Sequence, residues 1–165
     1  MKVARYHNFI EKITNSKSSV FVFTSYPFDW IGKSISLATN SKTCHTGFIF
    51  KQNNNEIYVC DATFKKGVDW KIAYTKFSKR NVLMNVYDLK ATPEQEQKIV
   101  DYCVSVTGQK YDFIGALTGI ESKNRKYCSS LVIKALRYAN YLQDANNTWR
   151  TTPADISQLL ELKAM

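Results

Sequence analysis

Apolar and polar positions change period several times along the chain, and each change marks an element. SVFVFTS, residues 19–25, is a run of valine and phenylalanine that predicts a buried strand. PFDWIGKSISLATNS places Trp30, Ile31, Ile35 and Ala38 at helical spacing. CHTGFIF (44–50) and EIYVCDATF (56–64) are strands joined by KQNNN, whose asparagines suit a tight turn, so the pair predicts a hairpin. KKGVDWKIAYTKFSKR reads as a short strand and then a helical turn, and NVLMNVYDLK (81–90) as another strand. ATPEQEQKIVDYCVSVTG carries full helix punctuation: Thr92 as cap, Pro93 at the first helical position, acids in the first turn and Gly108 as the stop. YDFIGALTGI (111–120) predicts a short helix. KYCSSLVIKALRYANYL predicts an amphipathic helix from Cys128 to about residue 142, and TTPADISQLLEL repeats the Thr-Pro start at Thr152 and Pro153. VARYHNFIEKITN is a helical lead-in, and DANNTWR a surface loop.

Strands gather in the middle of this order and helices at its end. That predicts an α+β fold, a small antiparallel sheet with helices packed against it. A chain of 165 residues fits one domain and buries a core without disulfides or metal. Cysteines 44, 60, 103 and 128 form no CxxC pair and are sparse, so they read as free thiols.

Charge alters the picture in one respect. Twenty-three basic against fourteen acidic residues give a net charge of +9, which favours a polyanionic partner such as nucleic acid, anionic lipid or an acidic protein. The basic residues are spread out rather than gathered into an arm, which equally suits a solvated surface. The opening MKVARYHNFIEK lacks the apolar core of a signal peptide, and no apolar run approaches the ~18 residues of a bilayer span. A cytoplasmic protein is the expectation.

The candidate chemistry lies in three segments. Side chains alternate along a strand, so His45, Gly47 and Ile49 share a face, as do Ile57, Val59 and Asp61. A turn centred on Asn53 would set His45 directly opposite Asp61. A carboxylate beside an imidazole suits a catalytic base, and equally a structural histidine. His7, the other histidine, has nothing converging on it. Cys128 opens a helix, where first-turn N–H groups and a nearby histidine can draw a thiol below its usual pKa of ~8.5 and hold an oxyanion. A helix-start cysteine, a strand histidine and a strand acid are the components of a papain-type site. Alternation turns Cys44 and Cys60 away from His45 and Asp61, which argues against a shared zinc ion. Cys103, inside IVDYCVSV, reads as core.

HTGFIF, VCDATFKKGV, KYDFIGAL, YCSSLVIKAL and TTPADI, in this order, resemble the circularly permuted NlpC-type papain-fold cysteine hydrolases, specifically the YiiX-like branch. The resemblance spans about residues 19–157. It implies a papain-like fold, with Cys128 as nucleophile, His45 as base and Asp61 as the orienting polar group. It places Tyr111 near the oxyanion region, where an ordinary packed aromatic is the alternative, and makes Ser129 a further oxyanion or substrate-binding candidate. Two departures stand out: Ser130 replaces the acid of the usual C-S-E-L-V motif, and Asp61 is shorter than the common glutamate, glutamine or histidine.

The implied function is cleavage of an amide or peptide bond through a thioacyl enzyme, with no metal or organic cofactor. A lipid acyl hydrolase or acyltransferase on the same fold is the alternative. A non-catalytic basic protein that docks nucleic acid or an acidic partner is the third reading. The expected substrate is a peptide, an amide or an acyl lipid.

Overall fold

The computed structural model describes residues 6–27, 30–38, 40–77, 83–118, 120, 122–142 and 151–164. Its elements in chain order are α1 (Tyr6–Asn15), β1 (Val20–Ser25), α2 (Trp30–Ala38), β2 (His45–Lys51), β3 (Ile57–Thr63), β4 (Gly67–Ile72), α3 (Ala73–Phe77) and β5 (Met84–Asp88). These are followed by α4 (Pro93–Ser105), β6 (Lys110–Tyr111), α5 (Phe113–Thr118), β7 (Arg125–Lys126), α6 (Cys128–Tyr138) and α7 (Pro153–Ala164). Five strands form an antiparallel sheet in the order β4-β3-β2-β1-β5. The α+β expectation therefore holds. DANNTWR falls outside the described residues.

Each face of the sheet carries its own core, and strand alternation sorts residues between them. Val20 and Val22 of β1, Phe48 and Phe50 of β2, and Cys60 and Ala62 of β3 join Leu131, Val132 and Leu136 of α6 and Ile156 of α7 in the larger core. Phe21, Phe23, Ile49 and Val59 point the other way, against Ile13 of α1 and Ala73 and Phe77 of α3. Burying such a side chain fully contributes ~1.5–3 kcal/mol, so a one-residue slip of any strand would exchange two cores.

The hairpin register differs from the expected one. Phe48 pairs with Cys60 and Lys51 with Ile57, so the turn is centred on Asn54 rather than Asn53. Asn55, at φ 63°, takes the left-handed position in that turn. This moves each partner by two residues: Asp61 faces Gly47, and His45 is its diagonal neighbour. An even shift preserves the face, so the two side chains still share one side of the sheet.

Two further differences concern helix ends and short strands. α6 stops at Tyr138, four residues before the expected end, because Asn140 turns left-handed at φ 54°. Tyr141 then leaves the helix path, and its hydroxyl donates to the Leu89 carbonyl at 2.6 Å. β6 and β7 form a parallel two-residue ladder where the sequence pattern predicts no strand. The two Thr-Pro helix starts are as expected. Thr92 and Gln95 cap each other's N–H groups at the head of α4, and Thr152 and Asp155 do so at the head of α7.

Candidate active site

α6 begins without an acidic residue, and its first turn is closed by serine. Ser130 Oγ accepts the Tyr127 N–H at 3.1 Å, the bond a glutamate at that position would make in a capping box. The Ser130 hydroxyl in turn donates to the Tyr127 carbonyl at 3.0 Å. The departure from C-S-E-L-V thus keeps the cap while adding no negative charge beside Cys128.

Cys128 is buried. Burial alone would push its thiol up, but the site more than reverses this and holds it below the ordinary thiol value. The reversal comes from a hydrogen bond to His45, the charge of His45, and the backbone N–H groups of Thr46 and Ser129. The Ser129 amide belongs to the first turn of α6, so the helix terminus itself faces the sulfur.

His45 is the first residue of β2, and its ring can therefore reach past the strand end. Its Nε2 lies 2.6 Å from Asp61 Oδ2, which leaves Nδ1 for the sulfur. Phe23 packs on the imidazole with ring centroids 5.7 Å apart. Asp61 is fully buried on β3. It can approach because Gly47 has no side chain; a Cβ there would lie 2.7 Å from Asp61 Cβ and 2.8 Å from the Cys60 carbonyl oxygen. Asp61 Oδ2 also accepts a bond from the ammonium of Lys76 on α3. No local pattern marks Lys76, one lysine within the strongly basic stretch KKGVDWKIAYTKFSKR.

Tyr111, on β6, is buried and hydrogen-bonded to Cys128. Burial pushes its phenol far up, and the Cys128 sulfur and the Asp112 carboxylate push it further. Tyr111 therefore stays protonated and can only donate to a thiolate or an oxyanion. Asp112, next in the chain, organises the following loop: its carboxylate accepts the N–H groups of Gly115 (2.9 Å) and Ser122 (2.6 Å). Burial would raise the Asp112 pKa, but these bonds and the nearby Arg125 leave it lowered. At Gly115 a Cβ would fall 2.7 Å from Asp112 Oδ2, so this approach also requires glycine.

The Ser129 side chain points elsewhere. Its hydroxyl donates to the Thr151 carbonyl at 2.5 Å, tying α6 to the segment that leads into α7, and only its amide faces the sulfur. A narrow crevice of about 10 Å3 lies beside Cys128. Its walls include Ile35, Ala116, Tyr127, Thr152 and Pro153, none of which local sequence patterning marks as part of a site. Cys60 turns into the larger core against Cys103, whose thiol is pushed well up by burial and then by Cys60. Cys44 is also buried, with its sulfur 3.7 Å from the Ser25 carbonyl oxygen.

Residues 20–153 match the family described as permuted papain-like amidase enzymes, YaeF/YiiX, C92. Among solved structures the chain resembles one described as the metalloprotein yiiX from Escherichia coli O157:H7. The two share 22% identity over 87% of this chain and 81% of that one, with a TM-score of 0.61. At that identity the likeness is one of fold. No curated protein matches the chain. The described residues gather no group of three His, Cys, Asp or Glu side chains fit to hold a metal ion, and the cation beside Asp61 is the Lys76 ammonium. No helix among the described residues is long and apolar enough to cross a membrane. The family match covers most of the chain, and the fold likeness agrees with it: this protein belongs to the permuted papain-like amidase family, YaeF/YiiX, C92.

Proposed function

We propose that the protein hydrolyses an amide bond with Cys128 as nucleophile. The observation that carries this reading is a buried thiol held below its ordinary pKa by an imidazole that a buried carboxylate orients. His45 takes the Cys128 proton at Nδ1, and the thiolate sulfur attacks the substrate carbonyl carbon. The negative charge that develops on the carbonyl oxygen is met by the Tyr111 hydroxyl and first-turn amides of α6. Collapse breaks the C–N bond, and the proton on His45 Nδ1 passes to the departing amine. A water molecule, deprotonated by the same nitrogen, then attacks the thioacyl carbon, releasing the acid and restoring the thiol. Asp61 keeps Nε2 protonated throughout, so that Nδ1 is the nitrogen that exchanges protons.

The cleft walls favour a second substrate class for the same chemistry. Ile35, Ala116, Tyr127 and Pro153 form a mainly apolar surface beside the sulfur, and Phe113 and Ile114 of α5 are exposed nearby in sequence. An acyl chain lying across this apolar surface, rather than inside the crevice, makes a lipid amide or ester the alternative substrate.

Intact-mass measurement after brief exposure to panels of p-nitroanilides and of acyl esters tests both readings. A mass increase equal to the acyl group, mapped to Cys128 and absent in Cys128→Ala, is expected, and the panel that produces it identifies the class. Turnover that persists in Cys128→Ala would overturn the proposal.

A further inference from the structure

Asp61 faces Asp69 directly across β3 and β4, and two like charges in that position repel. The strands separate the problem between different lysines. Asp69 lies 3.8 Å from Lys66 Nζ and 3.7 Å from Lys71 Nζ, and is one-third exposed. Asp61 is fully buried, and its cation is Lys76, whose side chain is only 15% exposed. The Lys76 ammonium also sits over the rings of Phe23 at 5.5 Å and Phe77 at 5.7 Å. Phe23 is the same ring that packs on His45. Lys76 is therefore held by a carboxylate and two aromatic faces, although ordering so long a side chain has an entropic cost.

We propose that Lys76 is a positioning residue of the active site that sets the pH range in which the Cys128–His45 ion pair exists. This rests on the reading of Cys128 as nucleophile. Lys76 and His45 share one oxygen, Asp61 Oδ2, so the carboxylate divides its charge between them. The groups that face the imidazole are Asp61 from β3, Lys76 from α3 and Cys128 from α6, with Tyr111 of β6 on the sulfur and Asp69 of β4 behind Asp61. Without Lys76 a full negative charge would face the imidazolium, which would hold its proton to higher pH. The thiol would also lose a nearby cation and ionise later. Both edges of the ion-pair window would move upward. A unit charge at this range, at an effective dielectric constant of ~20, shifts a neighbouring titration by about one pH unit or more.

The test is the pH profile of Cys128 alkylation by iodoacetamide in wild type, Lys76→Met and Lys76→Arg. Both limbs of the Lys76→Met profile should move up by about one pH unit, while Lys76→Arg keeps the wild-type midpoints. A residue that only filled space would change the rate or the melting temperature and leave the midpoints in place, and that result overturns the inference. If wild-type Cys128 shows no enhanced reactivity at any pH, the nucleophile reading falls and takes this inference with it. A normal wild-type profile unmoved by Lys76→Met removes this inference alone. Should Lys76→Met not fold, nitrogen-15 NMR of the wild-type lysine ammonium groups decides. A Lys76 signal in slow solvent exchange supports the ion pair, and a freely rotating, fast-exchanging one overturns it.

Discussion

His45 Nε2 lies 2.6 Å from Asp61 Oδ2 although the two residues are diagonal rather than opposite across the hairpin. The position opposite Asp61 is held by Gly47, and the space it leaves is filled by the Asp61 side chain itself. The histidine–carboxylate pair therefore depends on a residue that contributes no chemistry.

Gly47→Ala should show this dependence. Its Cβ would meet Asp61 Cβ, the Cys60 carbonyl oxygen and Phe23 Cε1, all within 2.8 Å, and the backbone carbonyl cannot give way. Overpacking of this kind costs ~1–3 kcal/mol. Denaturant unfolding should register that loss, and Cys128 alkylation should slow with it as His45 loses its partner.

Tyr111→Phe separates the donor from the packing. The ring is retained and only the hydroxyl facing Cys128 is lost, so the melting temperature should change little. Removing one donor to a developing oxyanion reduces turnover by ~10²–10³-fold. Steady-state kinetics on whichever substrate class acylates Cys128 provides the measurement, and a kcat within twofold of wild type would assign Tyr111 to packing alone.

The depressed Cys128 pKa also has a stability consequence with a definite sign. The unfolded thiol titrates at ~8.5, and the folded one lies below that value because His45 and the helix-terminal amides outweigh burial. The resulting stabilisation is complete above the unfolded pKa and is lost as pH falls through the folded one. Cys128→Ala should therefore lose more stability relative to wild type at pH 9 than at pH 5. In His45→Ala burial is left less opposed, so that difference should shrink.

Most of the fold could be read from periodicity because the elements that build it are long or well punctuated. β1, the hairpin, α4 and α7 carry alternation, asparagine-rich turns or Thr-Pro caps. β6 and β7 escaped because a two-residue ladder has no period to detect. The end of α6 was overrun because Tyr141 and Leu142 continue its apolar pattern while packing outside the helix.

The candidate site was readable to the extent that it depends on parity. Asp61 and His45 were expected to be opposite and are not, but a two-residue error in register keeps both on one face. Lys76 could not be found in this way. Its place beside Asp61 follows from α3 folding back onto β3, a tertiary contact, and its sequence neighbours are equally basic. The Ser129 side chain likewise reads as available until Thr151 is brought to it.

The proposed mechanism requires Cys128 to be the activated thiol among four buried ones. Timed iodoacetamide labelling of the native protein near neutral pH, with each cysteine resolved by peptide mass spectrometry, tests it most directly. Cys128 should be alkylated well before Cys44, Cys60 and Cys103, and His45→Ala should abolish the difference. Labelling of Cys128 at the same rate as the other three, or more slowly, would contradict it.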